Sequence, residues 1–428
     1  MAKSKDKQIV LDPTVSAEEL PPTMHDTVFG KKEERVLIID LLGCLATPLA
    51  KEIKHALRTE TFISLPTLKP SGYKSAFEYY ADAQAIAFVS KHTLLKSESL
   101  LTPEDVALDK FYDGELSCLK TNYRFRHMNF TFEQRTLLES AKVFCEQILG
   151  HYKDSAFPDA DKLIDETNMY PDFGPGSSIF LRGSASNIIT KLSALPETTP
   201  YAYETVVKKI LGYMPHYALA SGMVLRDKGT VALGPQLAQI VHHAEFFTVE
   251  KNYKAARGCV IEPSGMMLCQ KGLGFLIRQR LKRAGYNLNS APEWHNALAK
   301  HGSIFGQLST IDLASASDTI AREFVKFMLP PDWYEALNTI RSRDVLIGSH
   351  KKRIEKFSSM GNGFTFELES LLFLCLMLAV RKYHKRTETV LSVFGDDMIC
   401  HVSIAQPLID LLEVCGFETN NQKTFITG

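Results

Sequence analysis

The sequence predicts an α+β fold made of two or three domains, or of one large enzyme with several lobes. Its 428 residues are enough for that number at about 150 residues per domain. Apolar residues recur at helical spacing in the early part of the chain, whereas short β-like runs alternate with helical patterns after residue 240. The last two predicted strands are close enough in sequence to form a hairpin. These observations indicate an α+β unit from about residue 300 onward.

The composition is that of an ordinary globular protein. Hydrophobic residues make up 45% of the chain and charged residues 23%, which excludes the disordered and fibrous classes. The 49 basic and 49 acidic side chains cancel. A polyanion would therefore have to bind to a local basic surface, because the molecule as a whole has no net field to attract it.

The cysteines and the hydropathy predict a soluble protein in a reducing compartment. The eight cysteines are scattered without the two-residue spacing of metal-ligand pairs, which argues against a zinc site or a disulfide framework. Acidic residues occupy the region where a signal peptide needs an apolar run. The longest apolar run, Leu371–Val380, is far shorter than the roughly 20 residues that span a bilayer. The sequence thus predicts no secretion and no membrane partner.

The chain is predicted to begin with an arm and a helical lobe. Residues 1–30 are polar and contain three prolines, which is typical of an extended arm. The spacing from Glu34 to about Leu149 is mostly helical, with one clear helix over Glu133–Leu149. The predicted strands farther on are Glu245–Val249, Gly258–Ile261, Leu308–Leu313, Val390–Phe394 and Met398–Val402. The helices predicted there are Met266–Ala284, Asp318–Leu329, Thr365–Tyr383 and Gln406–Cys415.

Two adjacent carboxylates stand in the last predicted hairpin. Gly395, Asp396 and Asp397 join two apolar strands, and a glycine at a tight turn is a hairpin signal. Neighbouring carboxylates repel each other, and a bound divalent cation would remove that repulsion. A solvated Asp-Asp turn explains the same residues without a function. A further carboxylate close by is needed to decide between the two.

Asp312 and Asp318 can supply that partner. An apolar run ends at Asp312, and the pattern places Asp318 in the first turn of the following helix. Adjacent strands would bring Asp312 next to Asp396, and their hard oxygens suit a pair of Mg²⁺ ions of the kind that act in phosphoryl transfer. A helix cap is the structural alternative for Asp318.

A glycine-rich loop and a basic window complete the set of motifs. The loop, Ser-Ser-Met-Gly-Asn-Gly-Phe at 358–364, leads into the long apolar helix and can hydrogen-bond a sugar-phosphate chain. A simple connection into the helix is the structural alternative. Residues 249–286 contain eight basic side chains against two acidic ones, which favours a surface for a polyanion over a solvated face.

These segments, in this order and spacing, resemble motifs A, B and C of RNA-dependent RNA polymerases. The second segment, Ser-Ser-Met-Gly-Asn-Gly-Phe-Thr-Phe-Glu-Leu-Glu-Ser, is similar to the replicase catalytic subunit of leviviruses, the positive-strand RNA bacteriophages. Residues 251–263 are similar to motif F of that family, and residues 416–425 to its motif D. The similarity is dense from about residue 245 to the last residue of the sequence and thin before it.

The resemblance implies a role for each matching residue. Asp312, Asp396 and Asp397 would be catalytic and would bind two Mg²⁺ ions, for which Mn²⁺ can substitute. Lys423 would donate a proton to the leaving pyrophosphate. The implied nucleotide-binding residues are Lys251, Lys254 and Arg257 for the triphosphate, Asp318 and Asn362 for the ribose 2′-hydroxyl, and Ser359 and Gly361 in the loop.

The resemblance also implies a right-hand polymerase fold with fingers and palm and with the thumb largely missing. The expected domains are the N-terminal arm (1–30), the fingers with the N-terminal helical lobe (31–297) and the palm, which is the catalytic domain (298–428). Family members continue past Gly428, so the chain is expected to be truncated or incompletely recorded.

The biology implied by the resemblance is the copying of an RNA template from nucleoside triphosphates in the cytoplasm of a bacterial host. Host translation elongation factors Tu and Ts and a ribosomal protein would be partners. A reverse transcriptase and a non-catalytic RNA-binding remnant are the alternatives. Asp318 with Asn362 argues against the first alternative, and the three intact aspartates argue against the second.

Overall fold

The computed structural model separates the chain into two compact units. It describes residues 31–90, 94–95, 101–150, 172–252, 255–386, 389–421 and 423–426. The predicted arm, 1–30, lies outside the described residues. The first unit holds the described residues before Glu104 together with those between 250 and 255, and the second unit holds the remainder. Helices and strands are mixed, which confirms the α+β class.

The first unit is helical, as the sequence predicts for this region. Its helices are α1 (Lys31–Gly43), α2 (Pro48–Thr59) and α3 (Ala76–Ser90). Helix α2 begins where it does because Thr47 Oγ1 accepts a hydrogen bond from Ala50 N at 3.2 Å and a proline follows the cap. The apolar faces of the three helices share a buried core that includes Ile38, Ile53 and Ala85.

The second unit contains most of the helices. They are α4 (Pro103–Arg126), α5 (Phe132–Leu149), α6 (Ile188–Ser193), α7 (Tyr203–Tyr213), α8 (Pro215–Ala220), α9 (Ser264–Arg283), α10 (Ala291–Phe305), α11 (Arg322–Met328), α12 (Pro331–Ile340), α13 (Thr365–Tyr383) and α14 (Val402–Val414). The helix predicted at Glu133–Leu149 is confirmed as α5. It starts one residue earlier because Thr131 and Gln134 form a reciprocal capping box.

The strands form two larger sheets and three pairs. They are β1 (Glu197–Thr198), β2 (Val224–Asp227), β3 (Thr230–Leu233), β4 (Gln239–Ile240), β5 (Ala244–Asn252), β6 (Ala255–Ile261), β7 (Leu308–Ile311), β8 (Leu313–Ala314), β9 (Asp344–Ile347), β10 (His350–Arg353), β11 (Leu391–Phe394), β12 (Asp397–His401) and β13 (Glu418–Thr419). The larger sheets have the orders β10-β9-β5-β6 and β11-β12-β7, and the pairs are β1-β4, β2-β3 and β8-β13. The predicted hairpin is confirmed as β11-β12, and β7 is its antiparallel neighbour.

Helix α13 is the centre of the hydrophobic core. The apolar run Leu371–Val380 is buried throughout and packs against α5, α9 and α14. A helix that is apolar on all sides is typical of a core that surrounds it completely. No helix among the described residues is both long enough and apolar enough to cross a membrane.

Three predicted element boundaries are wrong. The strand expected over Leu308–Leu313 breaks at Asp312, because β8 pairs with β13 while β7 pairs with β12. The helix expected from Asp318 is a short 3-10 turn followed, after a gap, by α11, because the chain between them bridges to Lys356. Helix α14 starts at Val402 and tolerates an internal proline that the prediction placed near its first residue. The first two differences reflect a pairing with a distant segment, whereas the start of α14 is set locally by His401, whose Nδ1 accepts a hydrogen bond from Ser403 N at 3.2 Å.

Candidate active site

Three carboxylates lie at one end of the three-stranded sheet. Asp312 directly follows β7, and Asp397 opens β12. Ile311 pairs with Met398 on the neighbouring antiparallel strand, so Asp312 and Asp397, the next residues, lie at the same edge of the sheet. Asp396 occupies the turn that precedes Asp397. The structure therefore brings together the three aspartates that the sequence singled out.

The carboxylates affect each other's ionisation. Burial raises the pKa of Asp396, and the charges of Asp397 and Asp312 raise it further. Loss of hydration within the cleft is also the main reason that the pKa of Asp397 is raised, followed by the charge of Asp312, although Asp397 as a whole residue is exposed. The charge of Lys423 opposes both shifts. One lysine thus compensates three carboxylates only in part, and the site favours additional positive charge.

Asn420, Lys423 and Thr424 each contact Asp312. Lys423 Nζ lies 2.8 Å from Asp312 Oδ2, and the amide N–H of Asn420 donates to the Asp312 carbonyl at 2.9 Å. The Asp312 N–H donates to Thr424 Oγ1 at 3.3 Å. The hydrogen bond to Asp312 raises the pKa of Lys423, whose side chain is 69% exposed. Lys423 therefore stands, protonated, at the mouth of the predicted catalytic cluster.

A cavity of about 190 Å³ adjoins these residues and extends toward α10. Asp312, Asp397 and Lys423 line one side, and His295 lines the other. His295 Nε2 is buried and has no hydrogen-bond partner within the described part of the chain, and burial lowers the pKa of this imidazole. The histidine presents a neutral ring to the cavity.

The donor set fits a hard divalent cation by its chemistry. Carboxylate oxygens are the ligands that Mg²⁺ prefers, and a cation would offset both the burial and the neighbouring charges that raise the pKa values of Asp396 and Asp397. Among the residues that the structure describes, no group of three or more His, Cys, Asp or Glu side chains already converges on one point. The carboxylates thus flank the cleft.

Asp318 does not lie in the first turn of a helix, where the sequence pattern placed it. It is the last residue of a 3-10 turn, and Ala321, not Asp318, caps α11, so the helix-cap alternative is wrong. Asp318 Oδ1 accepts a hydrogen bond from Lys356 Nζ at 2.8 Å. Its side chain is 14% exposed, which leaves the carboxylate partly accessible from the cleft.

The loop that leads into α13 lies against β6. Val260 N donates to the Met360 carbonyl at 2.8 Å. Gly361 has φ +108°, and a Cβ at this position would lie 2.3 Å from the Val260 carbonyl oxygen. Only glycine fits here, because a residue with a side chain would be strained at this positive φ and its Cβ would clash with the strand. Beyond connecting to the helix, the loop is therefore held in one defined backbone conformation.

Asn362 and Ser359 are both buried within this loop. Asn362 Nδ2 donates to Glu262 Oε1 at 3.2 Å, and Asn362 Oδ1 accepts from Phe364 N at 3.1 Å. Glu262 also accepts a hydrogen bond from Ser342 Oγ at 2.5 Å, and burial raises its pKa. Ser359 Oγ is buried and has no hydrogen-bond partner within the described ranges. Asn362 is thus oriented by an acidic neighbour that the sequence analysis did not single out.

The three residues predicted to bind the triphosphate differ in where they lie and in whether the structure describes them. Arg257 is exposed on β6, and its charge acts on Cys259. Burial raises the pKa of the Cys259 thiol, Asp318 raises it further and Arg257 lowers it, so Arg257 and Asp318 share one electrostatic neighbourhood. Lys251 is exposed near the end of β5, in the first unit. Lys254 lies outside the described residues.

Glu369 is a carboxylate that the sequence analysis missed. It is 5% exposed, and its Oε2 accepts a hydrogen bond from Ser317 Oγ at 3.0 Å. Burial and then the charge of Asp396 raise the pKa of Glu369 to about 8. A signal existed in the sequence, because this glutamate interrupts the apolar face of a helix that is otherwise buried.

Comparisons with known proteins identify the family of this chain. The sequence model of a family described as "RNA replicase, beta-chain" matches residues 44–428. The chain belongs to this family, which confirms the resemblance to levivirus replicases.

Several curated relatives have the same kind of name. The RNA-directed RNA polymerase subunit beta of Escherichia virus Qbeta is 39% identical over 400 residues, 91% of this chain and 63% of that protein. The RNA-directed RNA polymerase beta chain of Escherichia phage MS2 is 43% identical over 182 residues, 42% of this chain and 33% of that one. The subunit beta of Enterobacteria phage SP is 31% identical over 330 residues, 76% of this chain and 53% of that one. The chain spans about half the length of the curated relatives that it matches.

Solved structures give partial likenesses. The RNA-dependent RNA polymerase of a human picobirnavirus has a TM-score of 0.32 at 15% identity, covering 47% of this chain and 42% of that one. A chain of a structure described as "RdRp complex" has a TM-score of 0.38 at 11% identity, covering 68% of this chain and 27% of that one.

Proposed function

We propose that this chain is the catalytic part of an RNA-dependent RNA polymerase that replicates a single-stranded RNA phage genome. The observation that carries the proposal is the meeting of Asp312, Asp396 and Asp397 at one edge of an antiparallel sheet, with Lys423 bonded to the first of them. Membership of the replicase family supports the same reaction. Its substrates are an RNA template and nucleoside triphosphates, and its products are RNA and pyrophosphate.

In the proposed reaction, an RNA 3′-hydroxyl attacks the α-phosphate of the incoming nucleotide. Asp312, Asp396 and Asp397 are the residues that would hold two Mg²⁺ ions, or Mn²⁺ in their place. When bound, these ions activate the attacking oxygen and neutralise charge on the leaving oxygen. Lys423 holds a proton at Nζ, since the hydrogen bond to Asp312 raises its pKa, and it is the proposed proton donor to the leaving pyrophosphate.

The second part of the site selects the nucleotide. Asp318 accepts a hydrogen bond from the ribose 2′-hydroxyl through the carboxylate oxygen that Lys356 does not use. Asn362 has one amide hydrogen besides the one donated to Glu262, and we assign this hydrogen, on the resemblance, to the same hydroxyl. Arg257 binds the triphosphate, while the same role for Lys251 and Lys254 remains a prediction from the resemblance. Ser359 and Gly361 supply the rigid backbone beside the nucleotide.

The setting of the reaction is proposed from the relatives. The phage origin of the relatives supports replication in the cytoplasm of a bacterial host. The words "beta chain" and "subunit beta" in their names support a complex with further subunits. Host translation elongation factors Tu and Ts and a ribosomal protein remain the predicted partners. The assignments of 31–297 to fingers and 298–428 to palm also remain predictions; the boundary between them falls inside α10.

Neutralising single carboxylates tests the proposal. Asp312→Asn and Asp396→Asn preserve volume but each remove one negative charge from the metal-binding set. Asp410→Asn is the matched control, because Asp410 is exposed on α14 and bonds only Gln406 among the described residues. Mg²⁺-dependent addition of a labelled nucleotide to a self-priming RNA hairpin is measured, together with the shift of the urea unfolding midpoint on adding Mg²⁺.

We expect both site variants to lose nucleotide addition and most of the Mg²⁺-induced shift, while Asp410→Asn keeps both. Near-normal addition by Asp312→Asn or Asp396→Asn would overturn the proposal. Preferred addition of deoxynucleotides on an RNA template would instead identify a reverse transcriptase. RNA binding by the unaltered chain without any Mg²⁺-dependent addition would identify a non-catalytic remnant.

A further inference from the structure

Lys356 is a buried lysine directly beside the proposed sugar-selecting carboxylate. Its side chain has no solvent exposure. Its Nζ lies 2.8 Å from Asp318 Oδ1, 3.8 Å from Glu115 Oε1 and 3.6 Å from the centroid of the Phe111 ring. A fully buried ammonium group is costly unless carboxylates and an aromatic face replace its hydration. Lys356 is therefore held at one point, at the end of the Asp318 side chain.

The backbone of Asp318 is fixed independently of this contact. The Asp318 N–H donates to the Ser315 carbonyl at 2.9 Å, and the Cys118 thiol donates to the Asp318 carbonyl at 3.6 Å. Gly114 on α4 approaches the same carbonyl so closely that a Cβ there would lie 2.8 Å from the oxygen. With the main chain set, only the torsion angles of the Asp318 side chain are free. The contact from Lys356 to Oδ1 removes that last freedom.

The charges around Asp318 favour this contact. Burial is the main cause of the raised pKa of Glu369, and the negative charges of Asp396 and Asp318 contribute. Ser317, next to Asp318 in the chain, donates a hydrogen bond to Glu369 Oε2 at 3.0 Å, so the acidic side chains of Asp318 and Glu369 belong to the same part of the structure. Lys356 supplies the attractive positive charge for Asp318, at hydrogen-bond distance.

We propose that Lys356 is a positioning residue for the choice between ribonucleotides and deoxyribonucleotides. It anchors Oδ1 of Asp318 so that Oδ2 points at the 2′-hydroxyl of the incoming sugar. A carboxylate held in this way can only accept a hydrogen bond, so a nucleotide that lacks the hydroxyl leaves Oδ2 without a hydrogen-bond donor. This inference rests on the sugar-selecting role proposed above for Asp318.

A purely structural role for Lys356 makes a different prediction. As a cross-link between α4 and the loop before α13, it would affect the unfolding midpoint and the addition of all nucleotides equally. A positioning role lowers kcat/KM for the ribonucleotide and leaves the value for the deoxynucleotide nearly unchanged. The ratio of the two values therefore separates the roles.

The experiment compares Lys356→Met, Asp318→Asn and the double variant in the full chain. Lys352→Met is the matched control, because Lys352 also lies over an aromatic ring, with Nζ 4.7 Å from the Tyr112 centroid, but has no recorded contact with Asp318 in the described structure. The kcat/KM values for GTP and dGTP are measured for addition of one nucleotide to a self-priming RNA hairpin.

We expect Lys356→Met and Asp318→Asn each to lower the GTP/dGTP ratio about ten-fold, the effect of one lost hydrogen bond to a charged group. The double variant should have the same GTP/dGTP ratio as each single variant, and Lys352→Met should keep the ratio of the unaltered chain. If Lys356→Met fails to fold, Asp318→Asn and the double variant, which leaves no unpaired charge at Asp318, are compared directly.

Three results would overturn the inference. An unchanged ratio in Lys356→Met while Asp318→Asn lowers it refutes the role of Lys356 alone. A further fall in the double variant relative to Asp318→Asn shows that Lys356 acts by another route. An unchanged ratio in Asp318→Asn refutes the sugar-selecting role of Asp318 itself, and with it the inference.

Discussion

Replacement of Glu369 by glutamine should remove much of the dependence of stability on pH. Glu369 is buried beside Asp396, and its pKa is raised to about 8, whereas the reference value is 4.5. Between these two values the folded protein holds a proton that the unfolded chain has lost. The free energy of unfolding therefore falls as pH rises from about 4.5 toward 8, and this loss is complete only above the folded pKa.

The size of the effect follows from the same two values. One unit of pKa difference corresponds to about 1.4 kcal/mol, so the interval between about pH 5 and about pH 8 gives a loss of roughly 3 kcal/mol from this one group. Glutamine keeps the volume of the side chain and an oxygen that can accept the hydrogen bond from Ser317 Oγ. Glu369→Gln should therefore be more stable than the unaltered chain at about pH 8, and by much less at about pH 5.

Urea unfolding followed by circular dichroism at both pH values, without metal, measures the difference. Glu335→Gln on α12 serves as the control, because Glu335 is exposed and should leave the pH dependence unchanged. Saturating Mg²⁺ should reduce the pH dependence of the unaltered chain, since a cation near Asp396 offsets part of the charge that Glu369 experiences. An identical pH dependence in the unaltered chain and in Glu369→Gln would refute the reasoning.

Two further changes test the neighbourhood of the site. Lys423→Met removes the ammonium group that lies 2.8 Å from Asp312. It should slow nucleotide addition about a hundred-fold without raising the Mg²⁺ concentration that the reaction requires. A parallel loss of Mg²⁺ affinity would point to a structural role for this lysine. Gly416→Ala places a Cβ 2.1 Å from Thr121 Oγ1, at a residue whose φ is +92°. This change should lower the free energy of unfolding by about 2 kcal/mol or more. Adding Thr121→Ala should restore part of that free energy, and no recovery would contradict the clash.

Local sequence patterns were sufficient for several elements of the fold. The hairpin around Asp396 is readable because its turn chemistry and its two apolar strands are contiguous. The same holds for α13, whose predicted and observed bounds agree, and for α5, whose start is set by a local capping box. The order of the motifs also identified the family and placed Asp312 beside Asp396.

Contacts between distant segments decided what the sequence could not. The break at Asp312 arises because the chain near residue 420 pairs there, and the late start of α11 arises because its leading residues pair with the segment at Lys356. In the sequence, nothing beside Glu262 shows that it is buried, and Glu369 is visible only as a break in an apolar helix face. Burial is the main cause of the raised pKa of both groups, and the charge of Asp396 raises that of Glu369 further.

By itself, then, the sequence determined the family, the α+β class and the three aspartates, because each of these follows from residues that are neighbours in the chain or from the order of short motifs. The tertiary structure alone decided which charges compensate one another. Lys356 meets Asp318 and Glu115 through segments that are far apart in sequence. Burial and electrostatic energy depend on distances in space, and no periodicity of the chain encodes those distances.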